Sequence, residues 1–270
     1  MHELGVEPAS IAQWFAEELR SSYVLVRVSE DYAAAWSDVL GVPVRRCYID
    51  DELLEKQAAA KGRPKSEIVA AVLPDPGPIM AGDFGEILVF LYHAAVVPDA
   101  EIAGPKKWRL KQDRTKPAPY SDVIQFVLPN WPEPSTDDRL LCAEVKTKST
   151  TGAFQPVTEA IEGCEKDRIS RLARTLVWLK ERALSDEKCT TDLEILERFA
   201  MATDYPEAQK QFRAIAVVSA SFVEDVIASI PEEEPTGCSI IVIAVPQLKQ
   251  HYEDVYDAVH ATVAEPGGAT

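Results

Sequence analysis

Two nearly continuous apolar runs, RAIAVVSA at 213–220 and CSIIVIAV at 238–245, constrain the fold more than any other feature of the chain. A strand with one face in water alternates apolar and polar residues. These runs do not alternate, so both faces must be covered. Between them SFVEDVIASI reads as a helix with Ser221 as its N-cap. Strand, helix, strand in that order predicts an α/β sheet with helices on both faces. Both runs are far too short to cross a bilayer, and no positively charged start leads into an apolar segment, so a soluble, cytoplasmic protein with no membrane partner is expected.

The other elements follow from period and punctuation. Before residue 73 the pattern predicts a helix over 8–20, a strand at 23–28, a helix around 30–40, a short strand VRRCYI at 44–49 and a charged helix near 50–61. LPDPGPIM at 73–80 is the clearest break. It divides the chain into an N-terminal α/β subdomain (1–73), a main domain (74–265) and a flexible tail (266–270). Beyond it, apolar residues at 84, 87, 88, 91 and 95 predict a helix over 81–96 with one buried face. The WRLKQD run at 108–113 reads as a strand, as do 121–128 and 139–149. Helices are expected at 157–184, 191–202 and 250–262.

The formal charge of -16 votes against a polyanion binder. Locally the vote reverses: GPKKWRLKQDRTK at 104–116 carries six Lys or Arg and one Asp, a net of +5. Five cysteines, an odd number with no CxxC spacing, read as free thiols in a reducing compartment. Cys142 and Cys164 have no clear histidine partner, so a thiol nucleophile is not expected. His93 reads as an interior histidine. Arg168, Arg171 and Arg174 read as ion-paired with Glu165, Asp167 and Glu181.

The chemistry concentrates in Glu86, Asp122, Glu144 and Lys146, which bracket the basic run. In AEVKT, Glu144 and Lys146 share one face of a strand because side chains alternate with period two. A hairpin would bring Asp122 to the neighbouring strand, and Glu86 would come from the helix packed over the sheet. The oxygens of Asp122, Glu144 and Glu86 and the Val145 carbonyl suit one or two Mg2+ ions, or Mn2+, for phosphodiester hydrolysis. Lys146 would orient the attacking water, help abstract its proton, or stabilise the developing charge. Lys106, Lys107, Arg109, Lys111, Arg114 and Lys116 would hold a nucleic-acid backbone, with Trp108 stacking on an unpaired base.

These same residues carry a resemblance. GE in a helix, a basic segment, SD before a strand and ExK on the next resemble the PD-(D/E)xK nuclease superfamily. More specifically, GDFGEILVFL, KWRLKQDRTK, YSDVIQFV and LLCAEVKTKST resemble the HamA family, the nuclease subunits of Hachiman antiphage defence. The resemblance implies a restriction-endonuclease-like mixed sheet flanked by helices, with an N-terminal α/β extension. It implies that Glu86 is the helix carboxylate, Asp122 and Glu144 the metal-binding pair and Lys146 the catalytic lysine. It also implies a Mg2+-dependent DNase acting with a superfamily 2 helicase subunit (HamB-like). Ser121 stands where the nominal superfamily pattern has proline. Two rivals remain open: a non-catalytic docking or regulatory subunit of a helicase complex, and a repair or restriction nuclease that works without a helicase.

Overall fold

The computed structural model describes residues 1–97, 102–200, 209–233 and 235–264. A 3-10 turn (His2–Leu4) leads into α1 (Pro8–Ala12), whose Pro8 sits in the first turn, where a missing N–H costs nothing. The helix expected over 8–20 stops there, because Ala16–Leu19 forms β1 and pairs antiparallel with β2 (Val24–Arg27). The helix expected around 30–40 is two, α2 (Glu30–Ala34) and α3 (Trp36–Tyr48). The strand expected at 44–49 is also corrected, since Val44–Tyr48 forms the last turn of α3. Trp36, Leu40, Val44, Cys47 and Tyr48 are all buried, and their spacing is that of one helical face.

Next come α4 (Asp51–Lys61), α5 (Lys65–Val72) and α6 (Pro78–Ala95). The Asp50 carboxylate accepts the Leu53 N–H at 2.8 Å, and Gly62 closes α4 at φ 58°, a conformation that favours glycine. After β3 (Ile102–Ala103), Lys107–Leu110 forms a 3-10 turn and not the strand expected from WRLKQD. Strands β4 (Val123–Val127) and β5 (Arg139–Lys148) make the expected hairpin. The helix expected over 157–184 is α7 (Pro156–Lys166) and α8 (Leu172–Ser185), joined by a π-helical turn at Asp167–Arg171. The remaining elements are α9 (Leu193–Ala200), β6 (Gln209–Ser219), α10 (Val223–Ile227), β7 (Ser239–Val245) and α11 (Leu248–Ala261). A 3-10 turn, Ala220–Phe222, leads into α10, so Ser221 is not its cap. The expected end of the 191–202 helix and the tail at 266–270 lie outside the described residues.

The seven strands form one mixed sheet in the order β1-β2-β7-β6-β5-β4-β3. β2, β7, β6 and β5 run parallel, and antiparallel pairs close each end. β6 and β7 are flanked on both sides and packed on both faces, which is why their sequences do not alternate. On one face Val123, Ala143, Val145, Ile215, Val217, Ile241 and Ile243 pack with residues of α3, α6 and α11. On the other, Ile124, Phe126, Leu140 and Cys142 meet α8 and α9, while Ala216, Val218, Val242 and Ala244 meet α7 and α10. Among the described residues no helix is long and apolar enough to cross a membrane. Cys164 and Cys238 are disulfide-bonded, whereas Cys47, Cys142 and Cys189 are free, so the expectation of five free thiols is corrected at two positions.

The first 73 residues form an α/β extension that adds β1 and β2 to the sheet and lays α3 along α11. Trp36 is the link. It is buried, and its ring stands 6.0 Å from Trp14, 5.7 Å from Phe84 of α6 and 6.3 Å from His251 of α11. Trp36→Ala should cost about 3–5 kcal/mol, read as a lower urea midpoint in one transition that includes the α6 and α11 signals. Two separated transitions in the parent chain would show that the extension unfolds alone.

Candidate active site

The site begins as a mismatch in strand length. The β4–β5 ladder ends at Val123↔Ala143, whereas the β5–β6 ladder continues to Lys148↔Val218. Residues 144–148 therefore have β6 on one side and a notch on the other. Asp122 stands one residue before β4, and the antiparallel register carried one step further sets it opposite Glu144. Its Oδ2 accepts the Val145 N–H at 2.8 Å, satisfying an amide that the end of β4 would leave unpaired.

Two glycines let helices close on this segment from either side. A Cβ on Gly163 of α7 would overlap the Glu144 carboxylate, and one on Gly85 of α6 would overlap Thr147 Oγ1. Glu144 and Lys146 thus face α7 while Val145 and Thr147 face α6, as the period-two argument requires. The notch opens into a cleft of about 640 Å³ lined by Asp83, Glu86, Lys116, Asp122, Glu144, Val145, Lys146, Thr147 and Arg171, among others.

Within it the Lys146 ammonium lies 2.5 Å from Glu144 Oε1 and 3.9 Å from Asp122 Oδ2. The other Glu144 oxygen accepts from Arg171. Arg171 also donates to the Gly163 carbonyl at 2.8 Å and to Asp167 at 2.6 and 2.9 Å. Asp167 in turn accepts from the Ser121 hydroxyl at 2.5 Å. Where the nominal motif has proline, this chain ties the strand entry to the π-turn that carries Arg171. Such turns frequently mark functional positions in helices.

Glu86 is buried on α6, where it accepts the Trp108 indole N–H at 3.1 Å. Burial, then the charges of Asp122 and Asp83, holds its carboxyl well above the usual range despite Lys107 and Lys111. Burial and the Asp122 charge push Glu144 up to about 7, against the opposing pull of Lys146 and Arg171. Burial disfavours the Lys146 ammonium, but the Asp122 and Glu144 charges outweigh it and raise its pKa. The site thus favours the charged form of Lys146 and the protonated form of Glu86.

The basic run does not form the DNA-binding strip expected of it. Lys106, Lys107, Trp108 and Arg109 are buried. Lys106 pairs with Glu3, and Arg109 with Glu3 and Asp50. Lys107 donates to the Ser121 carbonyl, and Trp108 is held by Glu86. The Lys111 side chain is buried against Asp83 at 2.6 Å. These five cannot reach a nucleic acid. Arg114, paired with Asp75, and Lys116, paired with Asp113, are the two that keep substantial exposure. The physical reason is the chain's acidity, since the internal carboxylates need counter-charges.

Among the described residues no three His, Cys, Asp or Glu side chains are grouped to hold a metal ion. Glu86 is committed to Trp108. The donor chemistry of the remaining pair still suits a hard divalent cation. Asp122 and Glu144 present carboxylate oxygens toward one common cation, the Lys146 ammonium. His93 is buried, its Nδ1 2.8 Å from Gln125 Oε1, as expected of an interior histidine.

The place of Arg171, Asp167 and Asp83 at the cleft escaped the sequence reading. Arg171 does pair with Asp167, but it also spans to Glu144, which the helical stripe alone does not reveal. Asp83 had a signal: an acid three residues before Glu86 on an otherwise apolar helix shares its face.

Because burial raises the Glu86 pKa above its unfolded value of about 4.5, the folded chain keeps a proton that the unfolded chain gives up, and stability falls as pH rises above that value. Glu86→Gln keeps an acceptor for Trp108 and removes this loss. Its thermal midpoint should match the parent near pH 4 and exceed it increasingly toward pH 8. A pH-independent difference would contradict the raised pKa of this buried carboxyl.

The HamA family model matches residues 13–259. No curated protein matches the chain. The match runs from just after α1 into α11 and takes in the whole sheet and every cleft residue named above. Over most of its length, therefore, the chain belongs to the HamA family.

Proposed function

We propose that the chain is a metal-dependent DNA endonuclease, the effector subunit of an antiphage defence system that works in the cytoplasm with a superfamily 2 helicase. Family membership points to a nuclease-like effector of hydrolase type. The observation that carries the finer reading is the convergence of Asp122 and Glu144 on the Lys146 ammonium in an open cleft.

Asp122 and Glu144, with the Val145 carbonyl, would hold Mg2+ or Mn2+. When bound, the ion supplies Lewis acidity toward a phosphoryl oxygen and a more acidic water. Lys146, kept protonated by its two carboxylates, stabilises negative charge on the phosphate and orients the water through its N–H groups. That makes it a poor base. Arg171 fixes the Glu144 carboxylate from behind, and Glu86, buried with its pKa raised and bonded to Trp108, walls the cleft. The formal charge of -16 and the burial of five basic-run residues mean that the chain attracts DNA weakly by itself. A helicase that delivers the strand would supply what the effector's surface does not.

A non-catalytic docking subunit is the second reading, favoured by the engagement of both Glu144 oxygens with cations of the chain itself. Cleavage of plasmid and single-stranded DNA with Mg2+, with and without the helicase, separates the two. Lys146→Ala and Asp122→Ala should each lower the rate by about 10²–10⁴-fold while circular dichroism stays unchanged. Equal nicking by parent and both variants would overturn the nuclease reading.

A further inference from the structure

We propose that a second cavity of about 310 Å³, sharing the Pro78 and Thr147 wall with the cleft, is a subsite for a backbone phosphate of the nucleic-acid strand. The ligand's identity rests on the nuclease reading above. The anion preference rests on the cavity itself, which is lined by Lys148, Ser149, Thr150, Thr151, Lys249 and Tyr252 and by no acidic residue. In a chain with 44 acids against 28 bases, a pocket beside the cleft that pairs two lysines with five hydroxyl side chains, Thr147 included, and has no carboxylate in its lining favours an anion.

The two lysines keep donors to spare. An ammonium has three N–H groups, and Lys148 gives one to the Phe154 carbonyl at 2.9 Å while resting 5.7 Å over the Phe222 ring. Lys249 is half-exposed, and its i,i+4 neighbour Glu253 stands 3.8 Å away, a contact of little energetic weight. The Ser149 and Tyr252 hydroxyls are 3.5 Å apart, at the outer limit of a hydrogen bond. Lys249 and Tyr252 belong to the first turns of the 14-residue α11, whose amino end adds partial positive charge.

Spacing ties the subsite to the cleft. Lys146 lines the cleft and Lys148 the second cavity, two residues along β5. Two residues of strand span about 7 Å, on the order of the through-space separation of successive phosphates on one strand. A strand with one phosphate beside Lys146 can therefore place a nearby one between Lys148 and Lys249. This takes over the positioning that the buried basic run cannot perform.

The test is fluorescence anisotropy of a short labelled single-stranded DNA with the full chain, without divalent cations, over a series starting at low salt. Lys249→Ala, and Thr150→Ala with Thr151→Ala, should weaken binding several-fold. Lys249→Ala should also flatten the slope of log affinity against log salt by about 0.7, the share of one phosphate. Lys56→Ala, an exposed lysine that lines neither cavity, should change nothing. No salt-dependent binding by the parent chain, or equal affinities and slopes for parent and Lys249→Ala, would overturn the subsite. Cleavage read in parallel keeps the two proposals apart. Mg2+-dependent nicking lost in Asp122→Ala but binding indifferent to Lys249→Ala would sink the subsite alone. The converse would sink the nuclease reading and leave a phosphate site.

Discussion

The structure depends on the burial of one cationic segment. Placing a lysine or arginine in the interior costs several kcal/mol unless a partner meets it there, and between Lys106 and Lys111 four do so. Their partners come from different parts of the chain: Glu3 in the N-terminal turn, the Arg46 carbonyl in α3, Asp50 before α4, Asp83 in α6 and the Ser121 carbonyl before β4. The segment can occupy its place only when all of these are assembled. It fastens the extension to the sheet core and at the same stroke offsets the carboxylates that crowd the cleft. Lys107 is the clearest case. Burial lowers its pKa, and the charges of Glu86, Asp122 and Asp167 oppose that shift.

What could be read from the sequence, and what could not, divides along a physical line. The apolar runs within β6 and β7, the β4–β5 hairpin and the shared face of Glu144 and Lys146 follow from periodicity, which the chain records directly. Depth is not recorded in this way. KKWRLK looks the same whether its charges face water or sit beneath a helix, and only the positions of Glu3, Asp50 and Asp83 decide. VRRCYI failed for a related reason. Its β-branched and aromatic residues suit a strand, but Trp36 and Leu40 upstream put its apolar positions on a helical face that must bury against α11 and α6. Arg171 was hidden because a π-turn shifts the register of side chains along a helix that reads as regular.

The -16 charge also takes on a different sense once the fold is known. Summed over the chain, it seemed to oppose an island of basic residues available to DNA. In the structure that island is mostly spent on internal acids, so the surface field is more uniformly acidic than the sequence suggests. Next to the cleft a cavity built from β5, the loop after it and α11 departs from that field, with lysines and hydroxyls and no acid in its lining.

One length mismatch accounts for the cleft as well. β5 has ten residues and β4 five, and an unpaired strand edge is ordinarily a liability that invites pairing with another chain. Here the free edge is occupied by side chains. Asp122 takes the Val145 amide, and Glu144 divides its two oxygens between Lys146 and Arg171. The same arrangement sets the terms of cation binding. A divalent ion held by Asp122 and Glu144 would compete with the Lys146 ammonium for the oxygens that ammonium already holds, and with a proton on a carboxyl pushed up to about 7. On the nuclease reading, affinity for the ion would therefore rise with pH as that carboxyl loses its proton, and an anionic phosphate that draws Lys146 toward itself would free those oxygens. Substrate and ion would then assist each other through one lysine.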